Sequence, residues 1–201
     1  MPYIKTIDYD QADTALKRMY DRVKGPNNNV DNVLLIHSLR PHTLTGHMTL
    51  YKAVLHNANN ELPKWYLEAL GVYVSYLNKC DYCVQHHFAG FARLVDDAEE
   101  SNFFMECVMK DDLNSFFKNH YSLGAEHAKK LTLNHAAITK DDIDQLKEAG
   151  FSEGKILEIN QVTSYFNYVN RMVVGLGVTI EGDVIGLSPN DSDDPKNWNH
   201  N

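Results

Sequence analysis

Residues 68–87, EALGVYVSYLNKCDYCVQHH, decide how the rest of the chain is read. The stretch begins inside an apolar, helix-length run that Pro63 opens. It breaks at Asn78-Lys79 and resumes helical periodicity over residues 81–94. Cys80 falls in or near the first turn of that second helix. Cys80, Cys83 and His87 stand at i, i+3 and i+7, so they share one helix face. Glu68 lies twelve residues before Cys80, on the preceding helix. Local spacing does not bring it to His87; only antiparallel packing of the two helices would.

The flanking sequence is helical as well. Leu16, Met19, Tyr20 and Val23 form one apolar stripe in a helix expected over residues 10–23, stopped by Gly25-Pro26. Residues 33–36 read as a helical turn. Pro41 opens a helix carrying Leu44, Met48, Tyr51 and Leu55, which ends near His56. After the central stretch come a short helix around FFMECVM, another from Asp111-Asp112, and one over residues 121–133 with a kink expected at Gly124. Thr139-x-x-Asp142 resembles a capping box and opens a helix ended by Gly150. Ser152 starts the last long helix, which runs to about Val174 and is closed by Gly175 and Gly177. The pattern predicts an all-α fold of roughly eight helices with no hairpin. Residues 1–186 are expected to form one helical domain, and the polar residues 187–201 a disordered tail.

The composition removes several function classes. The 201 residues carry a formal charge of −8 spread along the chain, with no basic patch, so no nucleic-acid partner is expected. Three cysteines, Cys80, Cys83 and Cys107, do not make a secreted disulfide scaffold. No secretory signal and no bilayer-length apolar run are visible, so a cytoplasmic protein without membrane association is expected. Without a glycine-rich phosphate loop or dinucleotide fingerprint, no bound cofactor is expected.

The chemistry concentrates in the opening stretch. A Cys-x-x-Cys pair at a helix start can close into a disulfide, and the helix N-terminus stabilises a thiolate there. A thiolate that attacks a peroxide becomes a sulfenic acid, which a neighbouring thiol condenses with. His87, one turn beyond Cys83, is placed to take or give a proton, and Glu68 would orient it if the helices pack together. Ser75, seven residues after Glu68 on its helix face, is a possible accessory to that relay, as is Tyr82 between the cysteines. Taken singly, each has a plainer reading: Cys-x-x-Cys is also a metal-ligand spacing, a lone histidine is more often packed or exposed, and a lone helical glutamate is usually solvated. A zinc site would use Cys80, Cys83, His87 and Glu68, because His86 is turned about 100° from His87 on the helix. Cys107, among Phe103, Phe104, Met105 and Val108, reads as a core thiol, and Tyr165, Phe166 and Tyr168 as core aromatics.

Glu68-x11-Cys80-x-x-Cys83-x3-His87, with Asn78 just before the first cysteine, resembles the core motif of the AhpD-like superfamily, which contains alkylhydroperoxidases and carboxymuconolactone decarboxylases. SLRPHTL, GHM and CDYCVQHH, then LTLNHAAITKDDIDQLKEAGFSEGKILEI and NYVNRMVVGLGV, resemble its uncharacterised peroxidase-related branch, from about Val33 to Val178. The resemblance implies an all-helical fold with an internal duplication, assembled as a homo-oligomer. It implies reduction of a hydroperoxide with Cys83 attacking, Cys80 resolving the intermediate as a disulfide, and His87 and Glu68 relaying the proton. It also implies a thiol or lipoyl-type reductant, and neither metal nor organic cofactor. Where the alkylhydroperoxidase has a histidine directly before the second cysteine, this chain has Tyr82. The other reading on the same fold is a non-catalytic redox-sensing or zinc-binding module.

Overall fold

The computed structural model describes residues 2–118, 120–194 and 196–200. Ten α-helices are formed among them: α1 (Thr14–Tyr20), α2 (Asn32–Leu35), α3 (Pro41–Leu55), α4 (Lys64–Leu77), α5 (Asp81–Val95), α6 (Ala98–Met109), α7 (Leu113–Phe116), α8 (Tyr121–Leu133), α9 (Lys140–Glu148) and α10 (Glu153–Gly175). No strand is formed among the described residues, as the periodicity predicted.

The architecture centres on α4. Every residue from Tyr66 to Ser75 is buried, because α5, α8 and α10 all pack against this one helix. Gly71 makes the closest of these approaches possible. A Cβ there would stand 2.3 Å from Cζ of Phe166, which α10 buries completely and which packs edge-on to His87 at 4.6 Å. Gly71→Ala therefore has to move that ring, and the expected cost is about 1–3 kcal/mol of stability, read from urea unfolding. Gly124 has the same role. Helix α8 runs through it, and the missing Cβ leaves room for the Tyr66 hydroxyl, which donates to the Tyr121 carbonyl at 2.8 Å.

Local chemistry sets the helix ends. The Asp13 side chain accepts from Leu16 N–H at 2.8 Å, so α1 starts at Thr14 and not at residue 10, where only a 3₁₀ turn (Tyr9–Gln11) forms. Thr139 and Asp142 form the capping box of α9. At the end of α4, Lys79 adopts a left-handed φ of 56°. Lys79 N–H then donates to Tyr76 O and Cys80 N–H to Ser75 O, both at 2.9 Å. This double reversal ends α4 and turns the chain straight into α5, which packs along it.

Residues 187–194 and 196–200, part of the tail expected to be disordered, pack against the helices. Trp198 is 1% exposed and joins Leu16, Tyr20, Val23, Leu44 and Met48 in a second apolar cluster. The Arg22 guanidinium lies 3.6 Å over its ring. His200 contacts the carbonyls of Ser188 and Val23, each at 2.9 Å. Averaged polarity concealed one large aromatic anchor.

Candidate active site

The turn at Lys79 brings Glu68 and His87 together. Glu68 Oε2 lies 2.7 Å from His87 Nδ1, and the carboxylate is 2% exposed. A Cβ on Gly90, one turn beyond His87, would sit 3.4 Å from the same carboxyl, so the glycine lets α5 approach the acid closely. Burial raises the Glu68 pKa, but the charge and hydrogen bond of His87 outweigh it and hold the group below its ordinary value. The buried carboxylate thus keeps its charge at neutral pH and anchors Nδ1, which leaves Nε2 of His87 to act on a substrate.

Cys80 is the N-cap residue of α5 and Cys83 lies in its first turn. Both are buried and neither is in a disulfide. The Cys83 thiol and the Cys83 backbone N–H are directed at the Cys80 sulfur. Against burial, they hold the Cys80 pKa below its ordinary value. The shared hydrogen bond and burial push Cys83 well above. The pair therefore holds one proton more tightly than the other, with the thiolate favoured at the helix cap. Asn170 steadies this end of the site. Its Nδ2 donates to Ser75 Oγ at 3.0 Å, and its Oδ1 accepts from Asn78 Nδ2 at 3.0 Å. Ser75 is accordingly part of the cysteine end, bonded to Asn170 and not to Glu68 or His87.

The two thiols face different spaces. Cys83, Glu68 and His87 line a cavity of about 60 Å³, with Tyr51, Tyr165, Val33 and Val169 in its walls. That is room for several water-sized atoms. Residues 186–189 and His200 of the C-terminal segment close one side. Cys80 instead lines a separate, shallow surface cleft with Lys79, Gln85 and Val174.

Tyr82 does not reach the Glu68–His87 pair. Its hydroxyl donates to Asp183 Oδ2 at 2.5 Å and accepts from Val33 N–H at 3.2 Å, while its ring packs on His86 at 4.6 Å. His86 Nε2 is 3.4 Å from the same Asp183 oxygen. Asp31 also lines the cavity, and burial, followed by the Asp183 charge, pushes its pKa up to about 6. Its protonated form stabilises the fold. That contribution is complete below the ordinary aspartate pKa and is lost as pH rises through about 6. Asp31→Asn should therefore raise the melting temperature at pH 8, by the equivalent of about 2 kcal/mol, and much less at pH 4.

Cys107 is buried beside Phe104 and Val108, and Tyr165 and Phe166 are core residues, whereas Tyr168 is 42% exposed. Among the described residues, no three His, Cys, Asp or Glu side chains converge as ligands. Also among them, no helix is long and apolar enough to cross a membrane. Sequence reasoning did not single out Tyr51, His56, Asp31, Asp183 or Asn170. Their partners lie on other elements, and no local spacing marks them.

No protein-family model matches the chain, and no curated protein matches it in sequence. Solved structures do match. An uncharacterised peroxidase-related protein with an AhpD core, from Ralstonia eutropha JMP134, superposes with a TM-score of 0.76 at 21% identity, over 89% of this chain and 92% of that one. A peroxidase-related protein from Silicibacter sp. TM1040 gives 0.76 at 22% identity, over 89% and 91%. The debrominase Bmp8 gives 0.65 at 16% identity, over 83% and 86%. The path of the helices, with α4 at the centre and the α4–α5 reversal carrying the cysteines, is thus the AhpD-like helical fold.

Proposed function

We propose that the protein is a thiol-dependent peroxidase that reduces an organic hydroperoxide through Cys83 and Cys80. The observation that carries this reading is the buried 2.7 Å pair of Glu68 and His87 lining the same small cavity as Cys83.

His87, its Nδ1 held by Glu68, takes the Cys83 proton at Nε2, which leaves the nucleophile on the cavity side. Cys83 sulfur attacks the terminal peroxide oxygen. The S–O bond forms, the O–O bond breaks, and Cys83 becomes a sulfenic acid while an alkoxide departs. His87, oriented by Glu68, gives that alkoxide its proton. Cys80, held as the thiolate, attacks the Cys83 sulfur; the S–S bond forms, the S–O bond breaks, and the departing hydroxide takes a proton to become water. A dithiol of the reductant, free or carried on a lipoyl group, then restores both thiols. The apolar walls of Tyr51, Tyr165, Val33 and Val169 suit the organic half of the substrate.

Cys80→Ser separates the two cysteine roles. With peroxide and a sulfenic-acid trap such as dimedone, this variant should be labelled once per chain, at Cys83, and should not turn over. Labelling at Cys80 of Cys83→Ser, with none at Cys83 of Cys80→Ser, would reverse the assignment.

A further inference from the structure

We propose that His56 is a positioning residue of this site, linking the buried Glu68–His87 pair to the surface carboxylate of Asp191 and replacing the proton the pair gives up. The use of that proton rests on the peroxidase reading; the link itself does not.

His56 caps the C-terminus of α3, and its side chain is fully buried. Each ring nitrogen faces a different carboxylate. Nε2 is 3.9 Å from Glu68 Oε1, the oxygen that His87 does not take. Nδ1 is 3.7 Å from Asp191 Oδ1. Neither nitrogen has a hydrogen-bond partner. A buried polar atom without one is costly, so a ring with two such atoms, each aimed at a carboxylate, is poorly explained as packing alone. Asp191 is half exposed and also takes Lys64 Nζ at 2.7 Å. The order from cavity to solvent is therefore His87, Glu68, His56, Asp191.

The C-terminal segment is fastened at this point. Ser192 N–H donates to the His56 carbonyl at 3.4 Å, Ala58 N–H donates to the Ser192 carbonyl at 3.3 Å, and Lys52 donates to the Asn190 carbonyl. The groups facing His56 are Glu68 and Lys64 of α4, His87 of α5, Asp191 of the tail, and Tyr51 of its own helix, whose ring meets it edge-on at 4.7 Å. Burial lowers the His56 pKa, Asp191 and Glu68 raise it, and Lys64 and His87 lower it. Those contacts hold Asp191 at about 2, so the outer carboxylate stays ionised.

A movement of about an ångström brings either gap to hydrogen-bond length. No heavy-atom bond changes in the step. One proton leaves Nε2 toward Glu68 and His87, and one enters Nδ1 from water at Asp191. The imidazole returns to its starting tautomer when a proton passes the other way, from the pair to Nε2 and from Nδ1 to water at Asp191, as reduction of the disulfide releases one.

The test has two readouts. The first is the rate of a single round of thiol oxidation by cumene hydroperoxide against pH, in wild type, His56→Gln, Asp191→Asn and His87→Ala. His56→Gln should slow it about tenfold and flatten the pH profile, and free imidazole should restore rate to His56→Ala. Asp191→Asn should flatten the same limb. The second is the titration of the His56 ring followed by NMR, which needs no peroxide. Both Asp191→Asn and Glu68→Gln should lower the His56 pKa, since each removes a group that raises it. A wild type inert to peroxide would remove the peroxidase reading and leave the NMR result to decide the link. A reactive wild type with unchanged rates and pH profiles in His56→Gln and Asp191→Asn, or a His56 titration that neither acid variant moves, would overturn the proposal. Should His56→Gln not fold, the two acid variants still decide it.

Discussion

Cys83→Ser is expected to abolish peroxide-dependent thiol loss, while Cys107→Ser leaves it unchanged. Cys83 is the thiol that opens on the cavity shared with Glu68 and His87, whereas Cys80 faces a different cleft. The variant removes the nucleophile and also the thiol that donates to Cys80. Cys80 can then react only at the slow rate of an unassisted buried thiol, because the proton donor for the leaving alkoxide lies elsewhere. The exchange of one sulfur for one oxygen changes little volume, so unfolding by urea should show a cooperative transition close to that of wild type. A folded Cys83→Ser protein that still loses thiols at the wild-type rate would remove the dithiol cycle. Cys107 is a packed thiol beside Phe104 and Val108, and its replacement tests whether the counted thiols belong to the pair.

His87→Ala should slow the chemical step by roughly 10²–10⁴-fold, the scale of lost acid–base help. It should also destabilise the fold. Glu68 is buried and its 2.7 Å partner would be gone, and an orphaned buried charge costs about 3–5 kcal/mol. The edge contact with Phe166 is lost as well. The sign with pH follows from the lowered Glu68 pKa. In wild type the pair's contribution is present above the ordinary glutamate pKa and is lost as pH falls through the lower folded value. His87→Ala should therefore lose most stability at neutral pH and little at low pH. His87→Gln keeps a partner for the carboxylate but no proton to transfer, so it should recover stability without recovering rate. Recovery of both would make His87 structural only.

Much of the helical order was legible because its punctuation is local. Pro41 and Pro63 mark two starts, Thr139 with Asp142 caps a third, and apolar spacing fills the intervals. Cys80, Cys83 and His87 were legible for the same reason, since one helix carries them. Glu68 needed the turn at Lys79, where a lysine occupies the left-handed position that glycine usually marks, so the reversal was easy to underestimate. Ser75 and Tyr82 sat at suggestive spacings, yet each found a partner far along the chain, Asn170 and Asp183, that spacing cannot reveal. His56 gave no sign at all, because its two carboxylates come from another helix and from the tail. The tail reads as polar on average, yet Trp198, His200 and the contacts at His56 hold its described residues to the helices.

The most direct test mixes fully reduced protein with one equivalent of cumene hydroperoxide and counts free thiols against time. The account predicts rapid loss of two thiols per chain, with Cys80 and Cys83 recovered as a disulfide by peptide mass and Cys107 still reduced. Thiols that survive for many minutes in folded protein would contradict it.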